Sequence, residues 1–410
     1  MSGHNYFNKK TVRDVPLDGK TILLRADYNV PIDTSGNIAD DYRIVSSLPT
    51  IKYLVEERGC NVVIISHLGR PKGIDPHLSL KLVSSRLQKL IKKPIKFIPA
   101  CVGDKVSVAT KNMAAGEIIL LENLRFHEEE EANDEKFAHK LAKDSHARYF
   151  VQDGFGVVHR AHASTSAITQ FLPSVGGLLL EREYQTIEGA MSHPKKPLTA
   201  VLGGAKIADK IELIDRFINI ADQIVIGGAM ASTFLQYKGF TVGKSLVEPD
   251  EKVIIDKIYQ DVAKKVGLDN IDDFLVLPND VAVAQKIDKK QPRKEVEAGN
   301  VHDEEIILDI GTKTMNRIEK YIGHEGTVIW NGPLGYAEIL NFAYSSARLA
   351  LHLAKNPKIT SIIGGGDTAD FVLDWDKQKG KSFSLVSTGG GASLELMSGK
   401  KLPGVEALLK

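Results

Sequence analysis

The groups with the most chemical reach in this 410-residue chain are guanidinium and imidazole side chains that follow short apolar runs. Arg25-Ala-Asp27-Tyr-Asn29 ends the first such run, and Arg43 opens the segment after it. Ser66-His67-Leu68-Gly69-Arg70, Leu121-Glu-Asn-Leu-Arg125-Phe-His127 and Asp153-Gly-Phe-Gly-Val-Val-His159-Arg160-Ala-His162 follow three others. A guanidinium makes planar, bidentate bonds to phosphate or carboxylate oxygens. A single arginine could equally cap a helix or pair with a local carboxylate. Repetition at successive run ends instead predicts a site for a small polyanion.

The second half of the chain offers glycine in the same places. Leu202-Gly203-Gly204-Ala-Lys206-Ile-Ala-Asp-Lys210, Gly227-Gly228-Ala-Met, Gly364-Gly365-Gly366-Asp367-Thr368 and Thr388-Gly389-Gly390-Gly391 each leave an apolar run and lead into helical sequence. Such loops bring backbone N–H groups close to phosphate oxygens, and helix N-termini favour negative charge. Four of them in one half predict nucleotide phosphate binding. Lys206 and Lys210, read as one helical turn apart, would face one ligand. Asp367 is a candidate Mg²⁺ anchor, since Mg²⁺ on nucleotides takes only one or two protein carboxylates.

These residues need a frame that brings run ends together. Val-, Ile- and Leu-rich runs at 21–26, 61–66, 116–121 and 148–152 read as buried parallel strands. Segments of helical periodicity at 45–58, 80–91 and 135–145 lie between them. The pattern restarts after residue 195, with strands expected at 197–202, 223–226, 274–277, 306–309, 326–330, 358–363 and 382–387. The fold class expected is α/β, with two Rossmann-like domains, each a parallel sheet with helices on both faces. The expected domains are 1–178, then a helix and hinge over 179–197, then 198–395. The charged run Glu128–Glu131 reads as a solvated face.

Composition excludes several classes. A formal net charge of +1 provides no global field for nucleic acid or membrane. No window approaches the ~20 apolar residues of a membrane helix, and Met1–Lys10 lacks the apolar core of a secretory signal. Cys60 and Cys101 follow no metal or redox spacing and read as buried thiols, which fits a cytoplasmic protein. His159 and His162 lack a third ligand at suitable spacing, and neighbouring arginines would repel a cation. Gly239-Phe-Thr-Val-Gly243-Lys244-Ser245 is one residue short of a phosphate-binding P-loop and follows helical sequence, so it is rejected. No Gly-x-Gly-x-x-Gly opens a first strand–helix–strand unit, which argues against a dinucleotide dehydrogenase.

Taken together, the segments 25–31, 66–71, 121–127 and 159–165, then 202–210, 330–335, 364–368 and 387–396, resemble the motifs of the phosphoglycerate kinase family. They occur in the family's order and span about residues 21–407. The resemblance implies reversible phosphoryl transfer from 1,3-bisphosphoglycerate to ADP, giving 3-phosphoglycerate and ATP. It implies that Asp27, Asn29, Arg43, His67, Leu68, Gly69, Arg70, Arg125 and Arg160 bind the phosphoglycerate. Gly203, Lys206, Lys210, Gly227, Gly311, Asn331, Glu338, Gly365, Gly366, Asp367 and Thr368 would line the ATP/ADP site, with Asp367 holding Mg²⁺. Arg43, Lys206, Gly366 and Gly390 would share the charge of the transferred group. The chain end, 396–410, would pack back on the first domain, and a monomer is expected. Gln152, Gly154, Val157, Val158, Ser232, Thr312, Tyr336 and Ala337 depart from the family's usual residues, but none removes an expected Arg, Lys or Asp.

Phosphoryl transfer needs positioning and charge stabilisation more than a protein nucleophile. A carboxylate acceptor, ionised at neutral pH, needs no general base. A hydroxyl acceptor would need one, and Asp27 or Asp153 could serve. A third reading is an anion-binding scaffold without turnover.

Overall fold

In this computed structural model, which describes residues 4–410, the apolar runs become two six-stranded parallel sheets. The first contains β1 (Thr21–Arg25), β2 (Asn61–Ile65), β3 (Ile95–Ile98), β4 (Ile118–Leu121), β5 (Tyr149–Gln152) and β6 (Ser174–Gly176), in the order β3-β4-β2-β1-β5-β6. Side chains alternate across it. Ile22, Leu24, Val62, Ile64 and Leu120 pack with Ile44, Leu54, Val83 and Leu87 on one face. Leu23, Val63, Ile119 and Phe150 pack with Val106, Phe137 and Leu141 on the other. Both faces are therefore covered, which is why these strands read as continuous apolar runs. β3 and β6 were not expected; Ile-Lys-Phe-Ile and Ser-Val-Gly are too short and mixed to stand out.

The second parallel sheet contains β7 (Leu198–Leu202), β8 (Gln223–Ile226), β9 (Leu275–Val276), β13 (Gly326–Asn331), β14 (Ile359–Gly364) and β15 (Leu385–Val386), ordered β15-β14-β13-β7-β8-β9. One expectation is corrected here. The run at 306–309 is not a strand of this sheet. It forms β12 (Ile306–Ile310), antiparallel to β10 (Asp280–Ala284), which also pairs with β11 (Lys294–Glu297) in a separate three-stranded sheet. β11 is polar and mostly exposed, so no apolar run announced the hairpin.

In both parallel sheets the first strand in sequence, β1 or β7, has later strands on each side, so the connections diverge around it. Ligands gather at the carboxyl ends of strands at such switch points. The arginine-bearing loops follow β1, β2, β4 and β5, and the glycine loops follow β7, β8, β14 and β15.

The chain divides into one compact unit reaching to Thr186 and including Lys400–Lys410, and a second, Ile187–Gly399. The division falls within the helix Leu178–Ser192. Residues 1–3 of the expected first domain and of the N-terminal stretch lie outside the described residues. In the first unit, the Gly404 amide donates to the Val158 carbonyl and the Leu409 amide to the Ser174 carbonyl, both at 2.9 Å. No helix among the described residues is long and apolar enough to cross a membrane.

Candidate active site

In the first unit the loops after β1, β2 and β4 are fastened to one another by side chains. Arg43 Nη1 donates to Asp27 Oδ2 at 2.5 Å, and the Asn29 amide donates to Asp27 Oδ1 at 3.0 Å. Asn29 Oδ1 accepts from the Gly69 amide at 2.8 Å, and Arg125 Nη1 donates to the Gly69 carbonyl at 2.7 Å. The loop 66–70 is thus held from both sides. Gly69 has φ +66°, a left-handed conformation that disfavours a side chain, and a Cβ there would also press on Leu78 Cδ2 at 2.9 Å. Asn123, fully buried, braces the same loop: its Oδ1 accepts from the Leu68 amide at 3.2 Å and its Nδ2 donates to the Leu68 carbonyl at 2.7 Å. Arg70 and Arg160 are exposed.

His67 marks the centre of this charge cluster. Burial first, then Arg25, Arg125, Arg43 and His162, pushes its pKa well below the usual imidazole value. Burial and nearby arginines likewise lower His159 and His162 to about 4. His159 Nε2 accepts from Arg160 Nε at 3.1 Å. All three rings are therefore neutral at pH 7, and the positive charge of the cleft is carried by guanidinium groups alone. Arg25, Arg43 and Arg125 each face a carboxylate, Glu130, Asp27 and Glu131, whereas Arg70 and Arg160 form no ion pair among the described residues and are left to attract an anion.

Glu130 overturns the reading of 128–131 as a solvated face. Glu128, Glu129 and Glu131 are exposed, but Glu130 is fully buried. Its Oε1 accepts from Ser164 Oγ at 2.5 Å, its Oε2 from the Ser164 amide at 3.0 Å, and Arg25 Nη2 stands 3.9 Å from Oε1. A run of four glutamates conceals a member that points inward, because charge composition carries no helical phase.

The second unit builds its site from backbone. The Gly203 amide donates to the Asn331 carbonyl at 2.9 Å, the Gly204 amide to the Pro333 carbonyl at 3.2 Å, and the Gly228 amide to the Leu334 carbonyl at 2.9 Å. A Cβ on Gly203 would lie 2.0 Å from the Pro333 oxygen, so the loops after β7 and β13 touch through bare backbone. Gly227 precedes the helix Gly228–Tyr237, and Gly365 precedes the helix Gly366–Trp375, with Asp367 exposed in its first turn and Thr368 buried. Thr368 Oγ1 accepts from the Gly332 amide at 2.7 Å. Asn331 Nδ2 is buried and has no hydrogen-bond partner among the described residues. Gly390, with φ +51°, precedes the helix Gly391–Met397.

A cavity of about 580 Å³ opens against these loops, lined by Gly204, Gly228, Pro333, Glu338 and Asp367 on one side and by Leu246, Val247, Ile306, Leu308 and Tyr336 on the other. The glycine loops present bare backbone beside the carboxylates Glu338 and Asp367, although the Gly204 and Gly228 amides are themselves spent on the Pro333 and Leu334 carbonyls, and Leu246, Val247, Ile306 and Leu308 add an apolar lining. That combination suits a phosphate chain joined to a heterocycle. Of the expected nucleotide residues, Glu338 and Asp367 line this cavity directly. The apolar wall was missed, because it comes from β12 and from the segment after the rejected Gly239–Ser245 motif.

Two placements differ from expectation. Lys206 and Lys210 do not share one helix: Lys206 is exposed in the loop, and a 3₁₀ turn, Ala208–Lys210, precedes the helix Ile211–Ile220. Lys210 still reaches back, with Nζ 3.4 Å from where a Cβ of Gly204 would lie. Gly311 packs against Asp280, whose carboxylate accepts from the amides of Lys313 and Thr314 at 2.9 and 2.7 Å and so caps the helix Thr312–Ile322 from within. A larger cavity, about 1180 Å³, opens in the first unit beside Ile32, Pro76, Leu82 and Phe126, but no arginine lines it. The cation cluster is the better guide to chemistry there.

The sequence profile described as phosphoglycerate kinase matches residues 12–400. A phosphoglycerate kinase of Dictyoglomus turgidum is 43% identical over 403 residues, covering 98% of this chain and 99% of that protein. One of Aquifex aeolicus is 45% identical over 397 residues, covering 96% and 97%. Among solved structures, the phosphoglycerate kinase from Coxiella burnetii superposes with a TM-score of 0.82 at 34% identity, covering 97% of this chain and 98% of that one.

Proposed function

The chain belongs to the phosphoglycerate kinase family, and from that premise we propose which of its residues hold each substrate. Its reaction is reversible phosphoryl transfer from 1,3-bisphosphoglycerate to ADP, giving 3-phosphoglycerate and ATP, in glycolysis and gluconeogenesis. The phosphoglycerate is held by Arg43, Arg70, Arg125 and Arg160 with His67, Asp27, Asn29 and the Leu68–Gly69 backbone. The observation that carries this assignment is the gathering of Arg25, Arg43 and Arg125 around the neutral His67 ring. The nucleotide occupies the 580 Å³ cavity, its phosphates toward Gly203, Gly204, Gly227, Lys210 and Gly365–Thr368 and its base against the apolar wall.

Catalysis then rests on positioning and charge. Arg43 and Lys206, with amides near Gly366 and Gly390, share the charge that spreads over the transferred group. In the reverse direction the acceptor carboxylate is already ionised. Neither carboxylate that could serve a hydroxyl acceptor is placed to act as a base: Asp27 is engaged by Arg43 and the Asn29 amide, and Asp153 is buried, its Oδ1 accepting from the Leu179 amide at 3.0 Å. This disfavours a hydroxyl acceptor.

Asp367 suits a metal that arrives already bound to phosphate. It is a single exposed carboxylate on the cavity wall, and no cluster of three or more ligating side chains exists among the described residues. Mg²⁺ held there would neutralise nucleotide phosphate charge. In-line transfer further requires the two substrates to meet with water excluded. We place the hinges for such closure at residues 178–197 and 388–396. Two buried free thiols support a reducing, cytoplasmic setting, and we take the chain to act as a monomer, which sedimentation would check.

The experiment is ATP formation from ADP and 1,3-bisphosphoglycerate by the purified chain. Turnover with this pair and none with hydroxyl acceptors is expected; turnover with a hydroxyl acceptor instead would overturn the assignment.

A further inference from the structure

The geometry points to Glu130 as a positioning residue which, through Ser164 and Arg25, fixes the nitrogen of His67 that offers its proton to the phosphoglycerate. This inference rests on the assignment of His67 to the substrate site.

Arg25 is a fully buried cation at the end of β1, and its three nitrogens are all engaged. Nε donates to Ser164 Oγ at 2.7 Å, Nη1 to the Ala26 carbonyl, and Nη2 meets His67 Nδ1 at 3.2 Å. A guanidinium has no acceptor, so Nδ1 must accept and the single ring proton must reside on Nε2. Nε2–H has no acceptor among the described residues and is left to bind an anion.

What holds Arg25 in place is the opposite charge behind it. Ser164 Oγ accepts from Arg25 Nε and donates its own hydroxyl hydrogen bond to Glu130 Oε1 at 2.5 Å. The hydroxyl is thus a bridge with one donor and one acceptor, both ionic. A second bond, from the Ser164 amide to Glu130 Oε2 at 3.0 Å, locks the carboxylate, and the Ala163 amide binds the Glu130 carbonyl at 2.9 Å. His162 also faces Glu130, with Nδ1 3.9 Å from Oε1. Without the carboxylate, Arg25 would be a buried charge stripped of its main counter-ion, with only Asp27, itself engaged by Arg43, left to offset it, an arrangement that favours relocation of the group. His67 Nδ1 would then lose its fixed donor and the ring could take either tautomer.

The direct test is the ¹⁵N imidazole spectrum of the full chain at neutral pH. The proposal requires His67 as the neutral Nε2–H tautomer; an Nδ1–H or doubly protonated ring overturns it without any variant. In Glu130→Gln, which keeps size and an acceptor but removes charge, a mixed tautomer is expected. KM for 3-phosphoglycerate should rise roughly tenfold, the scale of one charge-assisted hydrogen bond, while KM for ATP stays within about twofold. Ser164→Ala removes the bridge but leaves both charges and should move both readouts the same way by less; it stands in if Glu130→Gln does not fold. Glu130→Asp should partly restore the wild-type values. Folded variants with unchanged tautomer and unchanged KM would refute the role. Arg125→Ala separates this from the wider assignment. If it too leaves KM for 3-phosphoglycerate unchanged, the substrate site is misplaced, whereas a raised KM there with none in Glu130→Gln rejects Glu130 alone.

Discussion

On the assignment proposed above, the two units hold phosphate with different materials. The first uses side chains: Asp27 to Arg43, Asn29 to Gly69, Asn123 to Leu68, Ser164 to Glu130. The second uses backbone: Gly203 to Asn331, Gly204 to Pro333, Gly228 to Leu334, all through amides and carbonyls. The difference teaches where each site is fragile. A side-chain site can lose its chemistry and keep its fold. A backbone site loses stability when it gains so much as a methyl group.

The largest expected effect tests the side-chain half. Arg43→Ala should lower kcat by about two to four orders of magnitude, as when a charge-stabilising donor is lost, with nucleotide KM little changed. Near-normal turnover in a coupled assay would remove Arg43 from the mechanism.

The second prediction concerns buried carboxylates with raised pKa values, Glu130 and Asp153 in the first half and Asp309 in the second. Burial lifts Asp309 to about 6, opposed by its partner Arg293. Burial lifts Asp153 to about 7, with only hydrogen bonds from neutral groups to oppose it. An unfolded aspartate ionises near pH 4, so the folded chain binds the extra proton between about pH 4 and 7, and stability from Asp153 is lost as pH rises through that window. Asp153→Asn should therefore gain stability relative to the unsubstituted chain as pH rises from about 4 to 7, with an upper bound of roughly 4 kcal/mol. Urea midpoints measured across that range would show parallel curves if Asp153 is not the group.

Gly203→Ala tests the backbone half. The added methyl would meet the Pro333 oxygen at 2.0 Å and the Gly332 oxygen at 2.5 Å. A loss of roughly 1–3 kcal/mol in unfolding free energy is expected from such overpacking, with weaker ADP binding. Unchanged thermal unfolding would show that the loops can separate and that the amide cradle is less rigid than described.

The smallest effect is at Asp367. Asp367→Ala should weaken Mg-ADP binding about tenfold, the scale of one lost charge-assisted contact, and leave stability unchanged because the residue is exposed. Calorimetry with equal affinity would move the metal elsewhere.

Legibility in the sequence followed the same divide. Arginines and glycines at strand ends are conspicuous by residue type, so both candidate half-sites stand out in the sequence. The parallel strands were visible because they are apolar on both faces. What stayed hidden depends on partners distant in sequence. Nothing local distinguishes Glu130 from Glu128, Glu129 and Glu131 until Ser164 and Arg25 are placed beside it. Leu246, Val247 and Leu308 form a wall only once the small antiparallel sheet exists, and its polar strand Lys294–Glu297 gave no apolar signal. Lys206 and Lys210 were misjudged because a 3₁₀ turn replaces the expected helical turn, and the glycine-rich sequence does not encode that choice.

The division of labour itself is tested most directly by hydrogen–deuterium exchange with one ligand at a time. With 3-phosphoglycerate alone, protection is predicted in the loops at 25–29, 66–70, 122–127 and 153–165. With ADP alone it is predicted at 203–210, 227–230, 306–309 and 364–368. Protection by 3-phosphoglycerate in the glycine loops, or by ADP in the arginine loops, would contradict the account.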